Sequence, residues 1–378
     1  MAYNYVELGS LITPSKTVRC GDGVYPVLSM TMHNGLVFQD EKFKKVIASK
    51  DTSDYKVVYR NQLVISFPID EGVLAAQRIT DAGIVSPAYG IWNINQSKIL
   101  PEFLEYALRC DRAIQYYKAK LRGSTARRRT LPTPTLLAFL VPLPCLEEQK
   151  MVIDRIHRAQ SVIEKRKEQI NKLDDLIKAR FVEMFGNDKM EGIPLKECCA
   201  DVRGGGTPSM KHPEYYGGDV PFIKSGDVRG DTVSFGALWL TEKALIETTA
   251  KYVPKGSVLV VNRSAALLRE FRAAIASQPV VINQDIKAFI PKDQFTSEYL
   301  LWAIKIQTQL LLSKVTTVLT SHIDLKDLLE LQIMPASIEQ QRKFSEFIAQ
   351  VDKSKAVIQK SLDETQLLFD SLMQKYFG

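Results

Sequence analysis

At 378 residues, 45% of them hydrophobic and 25% charged, the chain has the balance of a folded globular protein of two or three domains rather than a disordered one. No apolar run approaches the ~18 residues needed to cross a bilayer. Met1-Ala2-Tyr3-Asn4-Tyr5 lacks the basic-then-apolar layout of a secretion signal, so a cytoplasmic location away from membranes is expected. Five cysteines without a CxxC pair and four scattered histidines argue against a disulfide framework and against a metal site. The formal charge of +7 is uneven: residues 1–146 hold 18 basic against 12 acidic side chains, whereas 187–335 hold 17 of each. A basic surplus in the first segment permits a polyanionic partner without requiring one.

In chain order, the first element is a segment of about 144 residues (1–144). It reads as short strands between Gly, Pro and Asn turns, closed by an amphipathic helix over about 101–121. A long helix follows over 145–186. The next segment, 187–336, repeats the first in outline, with its amphipathic helix over about 297–313, and a second long helix fills 337–378. The repeat is explicit in the residues. Leu146-Glu147-Glu148-Gln149-Lys150 returns as Ile338-Glu339-Gln340-Gln341-Arg342, and Phe185-Gly186 returns as Phe377-Gly378, both displaced by 192. Tyr25-Pro26-Val27-Leu28 parallels Val220-Pro221-Phe222-Ile223. Val58-Tyr59-Arg60-Asn61-Gln62-Leu63-Val64 parallels Val253-Pro254-Lys255-Gly256-Ser257-Val258-Leu259.

Both long segments carry heptads. Val152, Ile156, Ile163, Ile170, Leu173 and Ile177 form the apolar seam of the first; Phe344, Ile348, Val351, Ile358, Leu362 and Phe369 form that of the second. Arg166, Arg180, Lys355 and Thr365 interrupt it. A seam repeating every 3.5 residues needs a partner, and the shared register favours pairing of the two helices over separate packing on globular neighbours. Chain tracing then makes the pair antiparallel. With flush ends, Lys355 would lie near Glu168. Ser337 with Gln340 has the form of a capping box, and Gly186 and Gly378 suit positions just past a helix end. The expected fold class is α+β: two mixed α/β domains separated by two long helices forming an antiparallel coiled coil, in a pseudo-two-fold arrangement.

No phosphate-binding loop, dinucleotide fingerprint, nucleophile elbow or zinc-protease helix occurs, so a non-catalytic chain is expected. Polar clusters remain. Arg122, Ser124, Thr125, Arg127, Arg128 and Arg129 crowd one short stretch, extended upstream by Lys118 and Lys120. Arginine serves phosphate contacts and bidentate reading of guanine, and hydroxyls donate to phosphate; a solvated basic loop is the plainer reading. In the second segment Arg203, Thr207 and Lys211 flank the run Gly204-Gly205-Gly206. Those glycines would let backbone approach a ligand closely or simply form a turn. Lys224, Arg229 and Arg263 complete the DNA-contact candidates.

The pattern resembles the specificity subunit of type I restriction-modification systems. The resemblance rests on Pro142-Leu143-Pro144 through Lys150, on Met334-Pro335 through Arg342, on both Phe-Gly helix ends, and on three stretches within the domains. These are Gly83-Ile84-Val85-Ser86-Pro87-Ala88-Tyr89, Gly205-Gly206-Thr207-Pro208-Ser209 and Val220 through Asp227. Asn262-Arg263-Ser264-Ala265-Ala266 departs from the family's usual glycine there. The resemblance implies that each domain reads one half of a bipartite, asymmetric duplex DNA target. The helices would space the halves and dock two DNA methyltransferase (modification) subunits, joined in some systems by restriction–translocase subunits. S-adenosylmethionine, and ATP with Mg, would belong to those partners, with no cofactor in this chain. Two other readings stand beside this one: a coiled-coil adaptor binding only proteins, and the recognition subunit of a fused restriction-methyltransferase system.

Overall fold

The computed structural model describes all residues except 1–2, 33, 43–50, 122–130, 187–190 and 318–320. The chain divides into two compact units: residues 1–167 with 360–378, and residues 168–359. Each unit therefore holds one mixed α/β domain, one half of the first long helix (Leu146–Phe185) and one half of the second (Ile338–Phe377).

The two domains share one strand order. In the first, Ile12–Pro14, Gly90–Ile94, Gln62–Ile65 and Leu74–Ala76 form an antiparallel sheet in that sequence. In the second, Cys199–Gly204, Ile286–Pro291, Val258–Val261 and Ala273–Ala276 repeat it, and Thr232–Val233 adds a parallel edge. The central strand Val258-Leu259-Val260-Val261 is wholly buried, as a run of β-branched and aliphatic side chains covered on both faces must be. The similarities legible in the sequence coincide with similarities of backbone. Val27 bridges Ile84 in parallel fashion, as Phe222 does Val281. Asn61 and Gly256, aligned in the repeat, both take the left-handed conformation, with φ of 67° and 85°. That conformation is the natural province of Gly and Asn.

Two expectations are corrected. The amphipathic helix over 101–121 is two helices, Pro101–Arg109 and Asp111–Lys120, parted by an extended Cys110 (φ −68°, ψ 161°). Its counterpart is likewise Ser297–Lys305 followed by Thr308–Ser313, with Gln307 leaving the helical region. Both pieces send apolar side chains into the same core: Phe103, Leu104 and Leu108 from one, Ala113 and Tyr117 from the other. Periodicity therefore continues across a break that the backbone does not.

The second correction concerns helix register. In the first unit Arg155 Nη1 donates to Tyr376 Oη at 2.5 Å, and Arg166 donates to Thr365 and to the carbonyl of Ser361. In the second, Lys355 pairs with Asp174 at 2.5 Å, and Phe185 meets Phe344 with ring centroids 5.6 Å apart. In each unit, advancing along one helix means receding along the other, so both halves are antiparallel. Lys355 meets Asp174, not Glu168, which is nearly two turns earlier and is paired on the solvent side with Lys172. The actual register sets the seam lysine among Asp174, Asp231 and Asp352.

Candidate nucleic-acid interface

The joint between helix and domain is built twice from the same residue. Gln149 and Gln341 are both fully buried. Gln149 accepts from the Leu100 amide (2.8 Å) and donates to the carbonyls of Lys98 (3.0 Å) and Pro144 (2.9 Å). Gln341 accepts from the Thr296 amide (2.9 Å) and donates to the carbonyls of Gln294 and Ala336 (3.0 Å each). At the far end of each helix an aromatic ring docks on the domain. Phe377 lies 4.9 Å from Phe103 and Phe185 4.8 Å from Tyr299, between ring centroids. The Ser337–Gln340 capping box is present, each residue bonding the other's amide at 3.2 Å.

Every named seam residue is buried or half-buried. Val152, Ile156, Ile163, Ile177, Phe344, Ile348, Val351 and Leu362 lie inside; Ile170, Leu173, Ile358 and Phe369 are intermediate. Ile153 and Phe181, off the heptad columns, are also buried, in the clusters that join helix to domain. The helices thus pack on each other and on their domains.

The sheet ends of the second domain gather a polar cluster. The turn Asn283-Gln284-Asp285 follows the buried strand Val280–Ile282 and lies at its centre. Gly206 donates its amide to Ile282 and Thr207 bonds Gln284. Asn262 and Arg263 both donate backbone amides to Asp285, whose carboxylate lies 3.9 Å from the Arg263 guanidinium. Asn283 donates its amide to Ile223 (3.0 Å), which brings Lys224 to the rim. Arg263 pairs with His322, and Ser264 with Ser321. The side-chain oxygens of Asn262 and Asn283 are buried and meet no protein donor, so each keeps an acceptor that the domain's own groups do not use.

The fold therefore assembles Thr207, Lys224 and Arg263. It does not bring the other candidates to them. Arg203 is held by Asp201 at 2.7 Å and by the Tyr252 carbonyl. Lys211 is exposed on the loop beyond Ser209. Arg229 lines a cleft of about 680 Å³ together with Asp174, Asp231 and Lys355. Gly205 and Gly206 are required by the domain's own packing: a Cβ on Gly205 would come within 2.1 Å of the Ile282 carbonyl, and one on Gly206 within 2.5 Å of Thr249 Oγ1. Gln284, Asp285, Asn283 and His322 were not singled out by sequence; the available signal was a polar triplet directly after an unbroken apolar strand. In the first domain the same sheet end carries Ser66, Phe67 and Ser86–Tyr89, with Lys56 donating to the Tyr89 carbonyl at 2.8 Å. Lys118 and Lys120 are exposed on the last turn of Asp111–Lys120. Arg122, Ser124, Thr125, Arg127, Arg128 and Arg129 lie outside the described residues.

Beneath the second domain's cluster of loops, the cleft holds a buried ion network. Burial pushes the Asp231 carboxyl up, but the ammonium groups of Lys305 and Lys355 outweigh it and hold the group below its ordinary range. Burial works against the Lys355 charge too, and Asp174, Asp231 and Asp352 overcome it, raising the ammonium above its usual value. Asp352 is raised, chiefly by burial. The neighbouring thiols are inert: burial pushes Cys198 up to about 12 and Cys199 to about 11, so neither is a thiolate near neutrality. No group of side chains suited to hold a metal occurs among the described residues, and no described helix is long and apolar enough to cross a membrane.

Residues 187–366 match a family described as the type I restriction modification DNA specificity domain. The chain is 34% identical over 157 residues to the type I restriction enzyme MjaIX specificity subunit of Methanocaldococcus jannaschii, covering 40% of this chain and 35% of that one. It is 30% identical over 152 residues to the type I restriction enzyme EcoR124I/EcoR124II specificity subunit of Escherichia coli, covering 39% and 38%. The matched stretch thus spans little more than a third of either relative. One solved structure, from work on assembly and conformational transition of the type I R-M system, superposes with a TM-score of 0.57 at 19% identity, over 99% of this chain and 97% of that one. The type-I restriction-modification S subunit from M. genitalium does so at 0.54 and 14%, over 100% and 96%. At such identities the likeness is one of fold.

Proposed function

We propose, on the premise that this chain belongs to the type I restriction-modification specificity family, that it reads a bipartite, asymmetric DNA sequence on behalf of enzymes it does not itself contain. Each domain takes one half of the target. The long helices fix the gap and carry two adenine methyltransferase subunits, with restriction–translocase subunits joining in a complete system. S-adenosylmethionine and ATP with Mg belong to those partners, and the complex works in the cytoplasm. One observation carries the reading: two domains of one strand order present unlike residues at the same sheet end, Ser66, Phe67 and Ser86–Tyr89 against Asn262–Ser264 and Asn283–Asp285. A shared scaffold with divergent ends suits two different half-sites better than one repeated half-site.

The decisive experiment maps methylated adenines across the host genome with and without the gene. A split motif with unlike halves is expected to vanish on deletion; an unchanged methylation pattern, or a motif of two identical halves, defeats the proposal. Inserting one heptad into each helix preserves the seam and lengthens each by about 10 Å, the rise of about three base pairs. The gap is expected to change or binding to fail. Arg127, Arg128 and Arg129 are proposed to contact the duplex. Replacing all three with alanine should flatten the salt dependence of binding if they meet phosphate, or relax one base position by about 1–3 kcal/mol if one reads a base.

A further inference from the structure

In the second domain the loop Lys224–Ala237 and the strand that follows it, Leu238–Leu240, carry an aromatic pair that reaches solvent, Phe235 and Trp239. Phe235 is 62% exposed and Trp239 38% exposed. Their rings stack at 16° with centroids 6.4 Å apart. Isolated exposed hydrophobics need no explanation. Here, though, the backbone on both sides is pinned so that the pair projects. Gln278 holds the Ser234 carbonyl at 2.6 Å. The Asp227 carboxylate accepts from the amides of Lys224 (2.8 Å) and Ala237 (3.4 Å). Gly236 between them has no room for a side chain, since a Cβ would lie 2.5 Å from Asp227 Oδ2 and from the Phe222 carbonyl. The loop is therefore held at its base while Phe235 faces solvent and Trp239, on the adjoining strand, is partly open to it.

The position of the pair says what it faces. Leu238–Leu240 pairs with Tyr216–Ile223, which pairs with Val280–Ile282, with Leu238 opposite Phe222 and Ile223 opposite Ile282. Phe235 and the turn Asn283–Asp285 therefore leave the sheet at the same end, the end that also carries Thr207, Arg263 and His322. Half-exposed Lys224 follows Ile223 at that end. An ordered apolar step beside hydrogen-bonding and cationic groups matches the two kinds of surface that duplex DNA offers at a deformed site: phosphates and base edges on one hand, the exposed face of an opened base step on the other.

We infer that Phe235 and Trp239 form a wedge that enters the second domain's half-site and stacks on a base step of the duplex. This rests on the reading of the chain as a DNA-recognition subunit and adds a specificity-determining element to it, because the ease of opening a step depends on its sequence. Pyrimidine–purine steps are the expected occupants.

The test uses the full chain and a duplex that it selects from a random pool of 40 base pairs. Trp92 and Trp302 are 8% and 2% exposed, so a DNA-dependent change in tryptophan emission should come from Trp239 and should disappear in Trp239→Phe, a conservative change that keeps the fold. Phe235→Ala combined with Trp239→Ala should lower the ratio of selected to unrelated duplex binding by about tenfold or more, the scale of one lost base–aromatic stack. 2-Aminopurine placed at the opened step should brighten with the natural chain and not with the double variant. If the double variant discriminates as well as the natural chain, or Trp239→Phe retains the emission change, the wedge is refuted; a pair that docks a protein would give that result. If the natural chain selects no sequence at all, the DNA-recognition reading falls and takes the wedge with it.

Discussion

The two domains make the most instructive comparison. They share a strand order, a left-handed turn at Asn61 and at Gly256, a glutamine clamp at the start of a long helix and a phenylalanine dock at the end of one. They differ where strands run out. The first domain's end is hydroxyl-bearing and aromatic, from Ser66, Phe67, Ser86 and Tyr89. The second's is amide-rich and ionic, around Asn262, Arg263, Asn283 and Asp285. They also differ beneath: the Asp231 network of the second meets helix residue Lys355, which also pairs with Asp174, whereas in the first unit Arg166 bonds the Thr365 hydroxyl and the Ser361 carbonyl. What is repeated is what holds the fold. What diverges lies at the sheet ends and along the helix seam.

The comparison can be broken or sharpened by substitution, measured for each unit by native-state hydrogen exchange. The largest effect is expected from Phe377→Ala and Phe185→Ala, each removing a buried ring, at about 3–5 kcal/mol. Loss of protection should be confined to residues 1–167 and 360–378 in the first case and to 168–359 in the second; protection lost equally throughout would mean that the docks do not act locally. Asp231→Asn comes next. It leaves Lys305 and Lys355 short of a carboxylate, at about 3 kcal/mol, and has no counterpart among the described residues of the first domain. Because Asp231 is held below its unfolded pKa, its contribution is present above that unfolded value and is lost as the pH falls through the folded one. Acid should therefore weaken the second unit through this group, and Asp231→Asn should flatten that slope; an unchanged slope would remove the network from the account.

Gln149→Leu and Gln341→Leu should each cost about 1–3 kcal/mol, through main-chain groups left unsatisfied. The two costs should agree closely, and a marked inequality would break the equivalence of the joints. The smallest effect is expected on exchanging Asn61→Gly and Gly256→Asn, since both residues tolerate the left-handed region. Each should change melting by well under the ~1–2 kcal/mol that a bulkier residue such as valine would cost at Gly256.

Much of the architecture was legible because it is written twice. The displacement by 192 and the heptad columns lead directly to two mixed domains and two paired helices, and short likenesses such as Val27 with Phe222 mark equivalent bridges. Other features left no comparable mark. Gln149 and Gln341 stood within the quoted repeat, yet their role depends on carbonyls and amides about fifty residues upstream, to which composition is blind. The register of Lys355 was misjudged because flush ends were assumed, while burial of an ammonium among three carboxylates decides the pairing. The polar cluster at the second domain's sheet end was only partly anticipated. Basic residues attract notice in a sequence, whereas Asn283, Gln284 and Asp285 acquire meaning only when sheet ends bring them beside Asn262 and Arg263. The stretch with the strongest sequence signal, Arg122 to Arg129, lies outside the described residues.

The glutamine clamp has a consequence for how such a protein can change. Each clamp grips peptide groups alone: the carbonyls of Lys98 and Pro144 with the amide of Leu100 in one case, those of Gln294 and Ala336 with the amide of Thr296 in the other. Peptide groups are the same whatever side chains they bear, so this part of the coupling tolerates side-chain change wherever the backbone path returns to the same place. A lineage can rewrite much of a domain and keep the joint, so long as rings such as Phe103 and Tyr299 remain to receive Phe377 and Phe185.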